Sequence, residues 1–140
     1  MRARKISIAK TLYNFEAPVV GASAPGNASG SNLQDVKLLD LNSFLVPNPK
    51  SCFLVRVSGE SMIDANIDHG DLLVVDSSEL PANGKIVIAS LNGEMAVKYF
   101  QQNSEGTYLV SANKKFLPIK ISELFEFSIQ GVVKHVIKDL

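Results

Sequence analysis

At 140 residues the chain is sized for one domain that buries its own apolar core, and a hydrophobic content of 46% fits a soluble globular protein. Fourteen basic and fourteen acidic residues cancel, so no overall field exists to hold a phosphate backbone or an anionic membrane, and non-specific DNA binding is disfavoured. Cys52 is the single cysteine, which excludes an intrachain disulfide and suits a reducing, cytoplasmic location.

The first ten residues carry Arg2, Arg4, Lys5 and Lys10 without an acid. No apolar stretch of signal-peptide length follows them, and the apolar runs further on, such as Leu72 to Val75, are strand-sized and too short to span a membrane. These charges lack aromatic interleaving, so a solvated or partner-binding arm is expected rather than a nucleic-acid contact. Ala17 to Asn32 is built of Ala, Gly, Ser, Pro, Val and Asn without charge or sustained periodicity, the composition of a flexible segment. Residues 1–39 are therefore read as a flexible N-terminal arm and 40–140 as the folded domain.

Beyond Asp35, short apolar runs separated by turn residues predict a mostly β domain. The expected strands are Cys52 to Val57, Leu72 to Val75, Lys85 to Ser90, Met95 to Phe100, Tyr108 to Ser111, Ile119 to Ile121 and Phe125 to Ile137, with no convincingly capped helix. Between the first two lies Ser58-Gly59-Glu60-Ser61-Met62, a serine in a glycine turn. Asp64-Ala65-Asn66-Ile67-Asp68 imitates a calcium loop, but His69 stands where that loop needs Gly and Val75 where it needs Glu. No metal and no cofactor are expected. Asp71 and Asp76 flank an apolar strand and are read as turn formers.

Asn92-Gly93 supplies the two positive φ values of a type I′ turn and predicts a tight hairpin. A two-residue turn fixes the register, pairing Leu91 with Glu94, Ala89 with Ala96 and Val87 with Lys98. Lys98 then shares its face with Val87, Ala89, Ala96 and Phe100, while Ile86, Ile88, Met95, Val97 and Tyr99 line the other. Both faces are largely apolar, an unusual setting for a lysine.

A serine hydroxyl is a weak nucleophile until a base takes its proton, and lysine is that base only when neutral. Burial among apolar neighbours must bring the amine from about 10.4 toward neutrality, at a cost of about 4 kcal/mol that a sound core tolerates. Each residue also has a plain alternative: Ser61 as a turn hydroxyl, and Lys98 as a strand lysine whose stem covers apolar surface while its amine reaches water. His69 and His135 lack the partners of a Ser-His triad in the sequence pattern.

The ordered blocks Val55-Arg56-Val57-Ser58-Gly59-Glu60-Ser61-Met62, Gly70-Asp71-Leu72-Leu73-Val74-Val75-Asp76, Gly84-Lys85-Ile86-Val87-Ile88-Ala89 and Val97-Lys98 together resemble the LexA/UmuD group of self-cleaving peptidases. Asp40-Leu41-Asn42 and Gly131-Val132-Val133-Lys134-His135-Val136 resemble its UmuD branch more than LexA, and roughly forty residues ahead of the domain do not readily supply a helix-turn-helix. The resemblance implies a strongly bent antiparallel sheet, Ser61 as nucleophile, Lys98 as general base, and backbone N–H groups of Glu60 and Ser61 as oxyanion donors. It further implies cleavage of the chain's own arm. Gly21-Ala22-Ser23-Ala24-Pro25-Gly26 lies over the family's glycine-led stretch, making Val20-Gly21 the expected scissile bond, although Val20 departs from the small residue usual there and Ser29-Gly30 is an alternative. A flexible segment of about thirty residues spans near 30 Å, enough to reach a site on its own domain, and tethering raises its effective concentration.

By the same resemblance the protein is an SOS-response accessory factor for error-prone translesion synthesis, a homodimer activated by a RecA filament on single-stranded DNA and partnered by a UmuC-like polymerase. Competing readings are a non-catalytic polymerase-binding module, a phage-type repressor fragment, and a signal-peptidase-like enzyme. The last is disfavoured by the lack of a membrane-spanning run.

Overall fold

The computed structural model describes residues 1–6, 16–18 and 38–140. The chain divides into two compact units, Ala9–Pro47 and the combination of Met1–Ile8 with Asn48–Leu140. In the smaller unit, strand β2 (Glu16–Pro18) pairs antiparallel with β3 (Leu38–Asp40), and a one-turn helix α1 (Leu41–Leu45) follows directly. No capped helix is expected here from the residue pattern. Asp40 nonetheless caps this one, its carboxylate accepting from the Asn42 N–H at 3.0 Å and from the Ser43 hydroxyl at 2.9 Å. Five residues are too few to develop the apolar periodicity by which helices are recognised.

The larger unit is the expected bent antiparallel sheet, and it closes on itself. Its strands are β1 (Arg2–Ile6), β4 (Cys52–Ser58), β5 (Leu72–Asp76), β6 (Ile86–Leu91), β7 (Glu94–Asn103), β8 (Gly106–Val110), β9 (Ile119–Lys120) and β10 (Phe127–Ile137). Neighbours run β1-β4-β5-β10-β6-β7, and β1 also pairs with β7, so six antiparallel strands form a closed ring. β8 and β9 extend outward from β7. The seven strands expected beyond residue 50 are all present, within a few residues of their predicted ends. Strand β1 is an addition, because Arg-Ala-Arg-Lys-Ile carries little of the apolar alternation that marks a strand.

Two backbone devices shape the ring. Asn92 and Gly93 hold φ of 50° and 84°, and the hairpin register is the predicted one, with Val87 opposite Lys98 and Leu91 opposite Glu94. β10 pairs β6 with its first half and β5 with its second, and its register shifts between Ile129 and Gly131. A Cβ at Gly131 would lie 2.6 Å from a methyl of Val75 and 2.9 Å from the Asp76 carbonyl oxygen. Only glycine lets the strand pass there.

The two apolar faces of the β6–β7 hairpin enter two different cores. Ile88 and Val97 join Val55, Val57, Met62, Ile67, Leu73 and Val75, all essentially inaccessible. Val87, Ala89 and Phe100 instead pack with Leu109 and Val132. Lys98 stands on the second face, opposite the core valine Val87, and is itself only 7% exposed.

Candidate active site

Ser61 lies in the loop after β4, where the backbone turns at Gly59 with φ 96° and drops into a 3₁₀ turn over Ile63–Ala65. Met62 anchors this loop in the core, fully buried, and its sulfur accepts the Ala112 N–H at 3.3 Å. The segment following β8 grips the loop from its other side: the Ala112 carbonyl accepts from the Asp64 N–H at 2.7 Å, and the Asn113 amide donates to the Glu60 carbonyl at 2.9 Å. That same carbonyl accepts from the Ile63 N–H at 3.2 Å. A planar trans peptide directs its N–H opposite its carbonyl, so fixing the Glu60 carbonyl also fixes the direction of the Ser61 N–H.

Ser61 is 2% exposed and Lys98 7%. The Lys98 Nζ donates to the Ser111 hydroxyl at 2.8 Å and sits 5.8 Å from the centre of the Phe116 ring. The α-amine of Met1 donates to the Ser61 Oγ and is also coupled to the Lys98 amine. Ser61 and Lys98, 37 positions apart in the chain, thus converge on one amine. Among the described residues no carboxylate forms an ion pair with Lys98.

Burial holds the Lys98 pKa below that of an ordinary lysine, partly opposed by its hydrogen bond with the terminal amine. The Met1 amine is lowered to about 6, first by burial and then by the positive charge of Lys98. Above that pH the terminal amine is neutral, able to donate to Ser61 while accepting from Lys98.

Ser111, Asn113 and Met1 had no signal in the sequence. Ser111 is one of many serines at a strand end, Asn113 resembles an ordinary loop residue, and Met1 acquires its place only through the pairing of β1. Of the calcium-like carboxylates, Asp68 is engaged with Lys138 at 2.7 Å; Asp71, read as a turn former, accepts from the Asp68 N–H at 2.8 Å and also pairs with Lys138. Asp76 serves a turn, as expected, accepting from the Ser78 N–H at 2.9 Å and hydroxyl at 2.7 Å. Val20 and Gly21 lie outside the described residues.

A closed, mostly antiparallel barrel-like sheet is the fold expected of a serine peptidase of the LexA/UmuD type. The Peptidase S24-like family model matches residues 18–134, and the chain belongs to that family. It is 42% identical over 100 residues to Protein ImpA of Salmonella typhimurium, covering 71% of this chain and 67% of that protein. It is 31% identical over 140 residues to the LexA repressor of Colwellia psychrerythraea, covering 97% of this chain and 65% of the repressor. With the LexA repressor of Clostridium botulinum the match is 38% over 107 residues, covering 75% of this chain and 52% of the repressor. The chain thus spans about half to two thirds of the length of these relatives. No helix of the described residues is long and apolar enough to cross a membrane.

Proposed function

We propose that the chain is a self-cleaving peptidase in which Lys98 is the general base and Ser61 the nucleophile. The observation that carries this reading is a nearly buried lysine, without a carboxylate partner among the described residues and depressed in pKa, converging with a buried serine on a single amine. Neutral Lys98 takes the Ser61 proton as Oγ bonds to the carbonyl carbon of Val20. The oxyanion that forms is held by backbone N–H groups, among them that of Ser61, in the loop pinned at the Glu60 carbonyl. Protonated Lys98 then gives its proton to the departing amine of Gly21. The Val20 ester on Ser61 remains, and water activated by Lys98 hydrolyses it. Ser111 accepts a hydrogen bond from Lys98 Nζ and so aims the amine.

The substrate in this reading is the chain's own arm within residues 1–39, and the cleaved product is an accessory subunit of error-prone translesion synthesis in the cytoplasm. It acts as a homodimer, is stimulated by a RecA filament on single-stranded DNA and engages a UmuC-like polymerase. Relatives named ImpA and LexA repressor support placing it in the SOS response. Intact-mass analysis tests the chemistry: the wild type, incubated at alkaline pH or with a RecA filament, should lose residues 1–20, and Ser61→Ala and Lys98→Ala should not. An intact wild-type chain under both conditions overturns the reading.

A further inference from the structure

Strand β1 closes the barrel directly over the proposed nucleophile. Arg2 to Ile6 pair residue by residue with Ser58 to Leu54 of β4, whereas the register with β7 is one paired position, Arg2 with Ala96, supported by a hydrogen bond from the Val97 N–H to the Met1 carbonyl at 3.0 Å and by an exposed Arg2–Glu94 ion pair at 3.7 Å. Met1 and Ala3 pack against the barrel core, and the Met1 Cα lies close to the spot a Cβ on Gly59 would take, at 3.5 Å. The Met1 amine then reaches the Ser61 Oγ. With β1 in this position Ser61 is only 2% exposed, so its hydroxyl is closed to a peptide carbonyl.

We propose that β1 is a detachable inhibitory strand, which fills the gap between β4 and β7, covers Ser61 and must leave before any peptide bond is attacked. This rests on the Ser-Lys reading of the site. Departure opens both seams, the short one with β7 and the longer ladder with β4. The inhibitory segment is distinct from the Val20-Gly21 bond, so inhibitor and substrate are carried on one arm and compete for one hydroxyl.

The test is a reversible tether. Arg2 and Ser58 are direct partners across the β1–β4 ladder, so an Arg2→Cys/Ser58→Cys chain in a Cys52→Ala background should form a disulfide when oxidised. With the tether closed, labelling of Ser61 by a fluorophosphonate and self-cleavage should both slow by about tenfold or more, and reductant should restore them. Arg4→Pro, which removes a backbone N–H from β1, should accelerate both about severalfold in the full chain. Labelling that proceeds at measurable and equal rates in oxidised, reduced and Arg4→Pro chains overturns the proposal. Hydrogen exchange at the Val97 amide separates this failure from failure of the dyad. Ser61 inert in every form, with Val97 exchange slowed by the tether and quickened by Arg4→Pro, counts against the dyad and for the seat of β1. Val97 exchange indifferent to both changes overturns the seat itself.

Discussion

The lysines of this domain fall into two settings. On the outside, Lys134 meets Glu79 at 2.8 Å and Lys138 meets Asp68 at 2.7 Å, and hydrogen bonds to those carboxylates raise the pKa of each. At the end of the barrel, Lys98 has hydroxyl and amine partners, and burial lowers its pKa. All three lie on strands or at a strand end of one sheet. The side chain is the same, and what differs is whether the fold supplies a counter-charge. A lysine given a carboxylate is fixed as a cation, whereas one given only neutral partners and an apolar wall can be unprotonated within reach of a hydroxyl.

The sharpest way to break this contrast is to remove the two groups on which the chemistry is proposed to depend. Ser61→Ala and Lys98→Ala should each reduce self-cleavage by about a thousandfold or more, read as the half-life of the intact chain by mass spectrometry. Lys98→Arg should be as inactive as Lys98→Ala, because a guanidinium does not deprotonate in the working range. Comparable loss on Lys134→Ala would erase the distinction between the two settings.

The pH profile is the next largest effect. Lys98 acts as base only when unprotonated, so the cleavage rate should climb with pH and level off once its lowered pKa is passed, below the 10.5 of a free lysine. Stability follows the same group with a definite sign. Between the lowered folded pKa and 10.5 the unfolded chain binds more protons at this position, so the Lys98 contribution to stability rises with pH across that window and is unfavourable below it. Lys98→Met should therefore stabilise the fold at neutral pH by on the order of 1 kcal/mol, seen as a raised melting temperature, while abolishing cleavage. A melting temperature that falls on this change would mean that Lys98 stabilises the fold and is no strained catalytic group.

Ser111→Ala probes the aim of the amine. Removing the hydroxyl that accepts from Nζ should lower the cleavage rate about tenfold and displace the pH profile, while Ser111→Thr should restore most of the rate. A uniform loss with an unchanged profile would assign Ser111 to loop structure alone.

How far the sequence carried this reading follows from the range of the forces involved. Asn92-Gly93 is a local signal, and it sufficed to place Lys98 opposite Val87 on an apolar face. The serine loop was legible because glycine and its neighbours mark a turn between two apolar strands. What could not be read was set by pairings distant along the chain. A charged pentapeptide becomes a barrel strand only because the edges of β4 and β7 stand ready for it. Ser111 is placed at Lys98 by the β7–β8 ladder, in which Tyr99 opposes Val110, and no spacing rule announces that. The helix at Leu41–Leu45 was missed for the opposite reason, its single cap being too small a signal beside the strand-like residues around it.

The smallest expected effect lies on the outside of the barrel, and it completes the contrast. The Glu79 carboxylate faces both Lys134 at 2.8 Å and Lys85 at 3.7 Å, with the lysine side chains 38% and 51% exposed. Water and salt screen charges so placed, and exposed pairs of this kind contribute about 0–1 kcal/mol. Glu79→Ala should therefore shift the melting temperature by at most a few degrees, less at high salt, and leave the cleavage rate unchanged. The same carboxylate moved next to Lys98, for example as Ser111→Asp, should do the reverse: the added anion would raise the lysine's pKa, hold it as a cation and stop cleavage at neutral pH. Cleavage persisting in Ser111→Asp with a wild-type pH profile would show that the neutral surroundings of Lys98 are not what makes it a base.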